Sequence, residues 1–197
     1  MVTTPSTMLA LGTSAPDFEL LDTTSGRIVA RDDLAGRPAL LVMFICNHCP
    51  FVKHVAAELA RIGRDYGGRR VAIVAISSND VAQYPEDGPE AMTAFAADRG
   101  FAFPYLYDET QSVAAAYQAA CTPDLFLFDA DRRLVYRGQL DGSRPSNGVP
   151  VDGRDLRAAL DAMLGGRPVP EPHVPSQGCN IKWKPGLEPG LVVLGSS

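Results

Sequence analysis

Two stretches of the chain are apolar without alternation, Ala39 to Ile45 and Val71 to Ile76. Runs of this length and kind are strands covered on both faces, as in a parallel sheet. Between them, Val52, Val55, Leu59, Ile62 and Tyr66 recur at helical spacing, while Lys53, Glu58, Arg61 and Arg64 fall off the stripe and Gly67-Gly68 closes it. Strand, helix and strand joined by short links predict a right-handed βαβ unit. Upstream, Phe18-Glu19-Leu20 and Arg27-Ile28-Val29 flank a turn at Thr24-Ser25-Gly26 and predict a hairpin.

Downstream, Asp80 to Gly88 is a polar loop. Pro89 suits a first helical position, and Met92, Phe95 and Ala96 form a face that ends before Gly100. Phe103 to Tyr107 predicts a short strand, and Asp108 a cap for a helix carrying Val113, Ala116, Tyr117 and Ala120. Leu125 to Phe128 and Leu134 to Tyr136 flank Asp129-Ala130-Asp131, a second hairpin. Asp152 or Asp155 opens a last helix with Leu156, Ala159, Leu160 and Met163 inward, closed by Gly165-Gly166. Arg132, Arg133 and Arg137 read as a solvated face. From Pro168 the periods stop, and six of the 16 prolines follow. This predicts an α/β domain over residues 10–166 and, over 167–197, a proline-rich arm anchored by Ile181 and Trp183.

Composition narrows the function. The chain has 197 residues, 46% of them apolar, and a net charge of −5, which suits one globular domain without a basic surface for nucleic acid. No apolar run approaches the roughly 20 residues of a membrane span. The N-terminal stretch lacks the basic region of a secretion signal, so a cytoplasmic location is expected. Four cysteines are too few for a disulfide scaffold; at tight spacing they point to chemistry or metal.

The chemistry concentrates in Cys46-Asn47-His48-Cys49-Pro50, where a buried strand gives way to an amphipathic helix. Two cysteines three apart on a first helical turn can join as a disulfide. The free N–H groups of the helix start favour a thiolate, expected at Cys46, and Cys49 can then displace a mixed disulfide. An imidazole at His48 would stabilise that thiolate further and raise the potential above that of a strongly reducing thioredoxin; the alternative is that His48 only faces solvent. A zinc site would draw two more ligands from Cys121, Cys179, His54 or His173, with no second metal motif to support it, and Pro50 in place of histidine excludes covalent haem. Inert core cysteines are the remaining reading. Phe51 rims a substrate groove or starts the helix core. Asp80, Asp87 and Glu90 match no calcium loop and receive no role.

With Gly12-Thr13-Ser14-Ala15-Pro16-Asp17-Phe18-Glu19-Leu20-Leu21-Asp22, Gly26, Asp33-Leu34-Ala35-Gly36-Arg37-Pro38, the CNHCP motif, Cys121-Thr122-Pro123-Asp124 and Gly178-Cys179-Asn180-Ile181-Lys182-Trp183, the chain resembles thioredoxin-fold proteins of the peroxiredoxin-like branch, the redoxin or alkyl-hydroperoxide-reductase/thiol-specific-antioxidant group. The resemblance implies a thioredoxin fold, a central mixed sheet flanked by helices, with an N-terminal hairpin and an inserted helix and strand near residues 89–107. It implies a dithiol oxidoreductase with Cys46 nucleophilic and Cys49 resolving. Thr122-Pro123 would be a cis-proline loop facing the pair, pairing to an extended substrate. Protein or small-molecule disulfides or peroxides would be the substrates and a thiol the electron donor, with no cofactor or metal.

Two departures matter. Leu40 stands where thioredoxin carries a buried acid. Counting back from Cys49, Val42 and Cys46 replace the proline and the Thr/Ser of peroxiredoxins. Disulfide exchange through Cys46/Cys49 is therefore the lead expectation and a peroxidase centred on Cys49 the second; a non-enzymatic metal or partner-binding module is the third. Cys121 reads as a third redox thiol or a small core residue. Cys179 would resolve a sulfenate at Cys49 or pack near Trp183.

Overall fold

A computed structural model describes residues 3–68 and 70–189; the last eight residues of the expected arm lie outside the described residues. In chain order the elements are β1 (Thr4–Pro5), β2 (Glu19–Asp22), β3 (Arg27–Ala30), β4 (Ala39–Phe44), α1 (Pro50–Tyr66), β5 (Val71–Ser77), α2 (Pro89–Arg99), β6 (Tyr105–Tyr107), α3 (Ser112–Ala116), β7 (Cys121–Thr122), β8 (Asp124–Phe128), β9 (Leu134–Gly138), α4 (Arg154–Leu164) and β10 (Gln177–Asn180). The central sheet runs β3-β2-β6-β5-β4-β8-β9. Pairing is parallel within β4-β5-β6 and antiparallel elsewhere, so the sheet is mixed.

The sheet is buried on both faces, which is why β4 and β5 show no alternation in sequence. Leu41, Met43 and Ile45 point into one core with α1, α2 and α4. Leu40, Val42 and Phe44 point into the other, with Val113 and Tyr117 of the α3 segment and with Leu9, Ala15 and Phe18 of the N-terminal stretch. Every β4 side chain is essentially inaccessible, and a buried Leu, Val or Phe is worth about 1.5–3 kcal/mol.

Several expectations change. α3 is a single short turn entered from Gln111, not from Asp108. Asp108 instead accepts the Ala114 N–H and the Ser78 hydroxyl, each at 2.9 Å. The last helix starts at Arg154, entered from Gly153 rather than from either aspartate. The arginines near the second hairpin are not free in solvent. Arg132 donates to Leu34 O, Arg133 to Ser14 Oγ, and Arg137 to Leu9 O, so they tie down the N-terminal segment.

The arm is not merely extended. Its β10 strand lies between β1 and β7 in a second, three-stranded antiparallel sheet. Ile181 is buried and Trp183 packs against the core, as expected.

Candidate active site

β4 delivers the chain to the site. After Phe44, Ile45 still bonds to Ile76 O; the chain then bends through Cys46-Asn47-His48 and enters α1 at Pro50. Proline is favoured at a first helical position because its missing N–H is not needed there. Cys49, with φ −62° and ψ 122°, is therefore the residue that caps the helix, and Cys46 lies outside it. This corrects the expectation of a Cys46 thiolate on the first turn. The free N–H groups of the helix start therefore lie next to Cys49 rather than Cys46.

The bend is held by Asp87, a fully buried carboxylate. Its Oδ1 accepts the backbone N–H groups of Asn47 (2.8 Å) and His48 (3.1 Å). Its Oδ2 takes His48 Nδ1 (2.5 Å) and Asn79 Nδ2 (2.7 Å). Asn47 is fixed further by the Tyr105 hydroxyl at 3.0 Å and by donation to Glu86 O at 2.9 Å. Four polar partners let a buried carboxylate remain without a large desolvation penalty. His48 stacks on Tyr84 and lies 3.9 Å from the Cys46 sulfur. It is half-buried and held, not turned to solvent.

Thr122 is the point around which the thiols gather. Its peptide bond to Pro123 is cis. The Cys46 sulfur lies 3.4 Å from Thr122 Oγ1, and the Cys49 sulfur lies 3.2 Å from Thr122 O, a bond it can donate only while protonated. The backbone edge that the resemblance assigns to an extended substrate is taken by the chain's own β10, with Cys179 opposite Thr122 and Asn180 opposite Cys121. Cys46 and Cys49 are fully covered; Cys179 is partly exposed.

The thiols differ sharply in acidity. Cys49 is lowered to about 5, first by the thiol of Cys46 and then by the Cys179 thiol, the Thr122 hydroxyl and the Val52 N–H, against the opposing effect of burial. Cys46 is pushed well up, because it donates to Cys49, is buried and lies near the Asp87 carboxylate. Burial, followed by the Cys49 charge, takes Cys179 up to about 12. Cys121 is raised by burial. Of the two, Cys49 is the sulfur favoured to lose its proton.

One set of donors could hold a metal: Cys46 Sγ, His48 Nδ1 and an Asp87 oxygen lie within 4.8 Å of one another. Both Asp87 oxygens already accept two N–H groups each, so the geometry serves the loop rather than an ion. The other donors considered for zinc are engaged elsewhere, His54 with Ser143 and His173 with Arg137.

Residues 11–137, well over half of the chain, match the AhpC/TSA family. The chain belongs to the AhpC/TSA family. No curated protein matches this AhpC/TSA chain. Among solved structures it is similar to an uncharacterized conserved protein from Geobacillus kaustophilus, 58% identical, covering 94% of this chain and 98% of that one, TM-score 0.92. It is also similar to a hypothetical protein from Sinorhizobium meliloti, 51% identical, covering 93% and 100%, TM-score 0.91. The C-terminal domain of a putative thiol-disulfide oxidoreductase from Bacteroides thetaiotaomicron matches at TM-score 0.62 and 19% identity, over 80% of this chain and 97% of that one, and shows the shared thioredoxin fold. The AhpC/TSA protein is thus a thioredoxin-fold member of the peroxiredoxin-like branch. No helix among the described residues is long and apolar enough to cross a membrane.

Of the residues singled out in this AhpC/TSA chain, the fold brings together Cys46, His48, Cys49, Thr122, Pro123 and Cys179. Cys121 sits on the other side of β7, buried, with its thiol directed to Pro123 O. Phe51 is half-buried and lines a hollow beside Pro50 with Thr3, Arg144 and Gln177, about 370 Å³ in volume. Asp87, given no role from sequence, is the anchor of the redox loop. A polar residue between two prolines was the only sign of it, and its partners lie about 40 positions away.

Proposed function

We propose that this protein is a thiol oxidoreductase whose redox couple is Cys46/Cys49, with Cys49 the attacking sulfur and Cys46 the thiol that closes the disulfide. The observation that carries the reading is the cap position of Cys49 at the start of α1, with the sulfurs of both cysteines gathered on Thr122. The thiolate is the attacking species in exchange.

The Cys49 thiolate attacks one sulfur of a disulfide, or one oxygen of a hydroperoxide, and expels a thiolate or hydroxide. The charge that held the Cys46 proton is then gone. Cys46 gives up its proton to the base just expelled and attacks the Cys49 sulfur, with His48 Nδ1 3.9 Å from its own sulfur. The second leaving group departs and the Cys46–Cys49 disulfide forms. Asp87 acts through His48 and the loop backbone, as a positioning residue.

A small oxidant suits the site better than a protein disulfide. Both sulfurs are covered, and β10 fills the edge at which an extended peptide would pair. This favours a peroxide or a low-molecular-weight disulfide approaching by the hollow at Pro50 and Phe51. Replacing each cysteine in turn tests the reading. Cys49→Ser should abolish turnover with either oxidant, and Cys46→Ser combined with Cys179→Ser should leave a lasting adduct on Cys49. An adduct accumulating on Cys46 in Cys49→Ser, with turnover retained, would reverse the roles and sink the assignment.

A further inference from the structure

We propose that Cys179, on the C-terminal arm, is the thiol through which the buried disulfide is reduced: it takes over Cys49 from Cys46 and presents it, as a partly exposed Cys49–Cys179 bond, to an external low-molecular-weight thiol. The inference rests on the Cys46/Cys49 couple proposed above and adds the route by which that couple is recycled.

Geometry carries it. Residues directly opposite in an antiparallel pair share a face. Cys179 is opposite Thr122, the residue that already touches both sulfurs of the couple. Cys179 also packs against the cluster that holds Cys46 and Cys49. The strand that carries it is seated tightly. A Cβ on Gly178 would lie 1.9 Å from Thr122 O, so only glycine allows this approach. β1 closes the other edge, Ser6 N–H bonds to Ser176 O, and Ile181 N–H bonds to Ala120 O. Cys46 and Cys49 are covered, whereas Cys179 is the member of the trio that meets solvent, so it is the sulfur an external thiol meets first.

The steps balance. The Cys179 thiolate attacks the Cys49 sulfur; the Cys46–Cys49 bond breaks, and Cys46 leaves and takes up the proton that Cys179 released. An external thiolate attacks the Cys179 sulfur. Cys49 departs as the thiolate that the site already stabilises, and a low-pKa leaving group departs faster. A second external thiol attacks its own kind in the mixed disulfide on Cys179 and restores the Cys179 thiol. Two external thiols become one disulfide, and the couple regains two electrons and one proton, the second proton passing to solvent while Cys49 stays a thiolate.

The test uses the full chain, oxidised so that Cys46–Cys49 is bridged, then mixed with excess glutathione without air. Cys179→Ser should slow the return of the two thiols about tenfold or more. Cys46→Ser, with Cys179 intact, should oxidise to a Cys49–Cys179 disulfide found by peptide mapping. An unchanged reduction rate in both Cys179→Ser and Cys179→Ala would overturn the relay while leaving the Cys46/Cys49 couple standing. So would a Cys46→Ser protein that carries glutathione on Cys49 with Cys179 free. Oxidised wild-type protein with no Cys46–Cys49 bridge would instead remove the couple, and the relay with it.

Discussion

The Cys49 thiolate yields a measurable pH dependence. Cys49 lies at about 5 against an ordinary value of 9.0, so at pH 7 it is about 99% ionised where an ordinary cysteine is about 1% ionised. Nucleophilicity falls by about 0.4–0.5 decades per unit of lowered pKa, so roughly two decades of lost reactivity cancel two decades of added thiolate. Attack at pH 7 is thus little faster than that of a free thiol. The gain appears below neutrality and in leaving ability. The same stabilisation favours the reduced dithiol about 100-fold at pH 7, or about 60 mV toward a more oxidising couple. Thiolate absorbance near 240 nm measures ionisation without needing reagent access to the covered sulfur. Reduced protein should show a one-thiolate step centred near pH 5. Cys46→Ala removes the first of the groups that lower Cys49 and should move the step upward, whereas Cys46→Ser retains a donor and should move it less. Cys49→Ser should erase it. A low-pH step that survives Cys49→Ser and vanishes with Cys46→Ser would refute the reasoning.

Three other perturbations follow from the packing. Asp124, at the start of β8, is pushed up to about 7 by burial. Its native form holds the proton more tightly than the unfolded chain, so stability falls as pH rises from about 4 to about 7. The loss is about 4 kcal/mol from the shift. Asp124→Asn should match wild type near pH 4 and exceed it at pH 8 in urea unfolding; parallel pH curves would contradict this. Gly178→Ala should drive β10 off Thr122 and cost about 1–3 kcal/mol, as overpacking does, and alkylation of Cys49 in the folded protein should accelerate; unchanged protection would show that β10 is not the cover. Asp87→Asn loses charge-assisted bonds to the redox loop worth about 1.5–3 kcal/mol each. It should lower Tm by several degrees and slow disulfide closure more than the first attack; equal slowing of both steps would argue against a role through His48.

Much of this was legible in the sequence, and the rest failed for physical reasons. Continuous apolar runs announced β4 and β5 because both their faces are buried, and the 3.6-residue stripe announced α1. The cysteine pair stood where a strand meets a helix, and that placement made it chemical rather than structural. What misled was one turn of register. Pro50 marks the first helical residue, so the capping residue is Cys49 and Cys46 lies before the helix. β10 could not be read from Gln177-Gly178-Cys179-Asn180, which has neither alternation nor β-branched residues. It is a strand only because β1 and β7, contributed by distant parts of the chain, offer it two edges. Asp87 was invisible for the same reason, since its meaning lies in N–H groups about 40 residues upstream. The arginines near the second hairpin show the reverse error: charges expected in solvent hold the N-terminal segment against the sheet.

The most direct test of the account is to mix reduced wild-type protein with one equivalent of hydrogen peroxide in a stopped-flow instrument and peptide-map samples quenched over time. The account predicts that Cys49 is modified first and that a Cys46–Cys49 disulfide follows as that species decays, with Cys121 reduced throughout. Oxidation that begins at Cys46, or a final product in which Cys49 is still a free thiol, would contradict it.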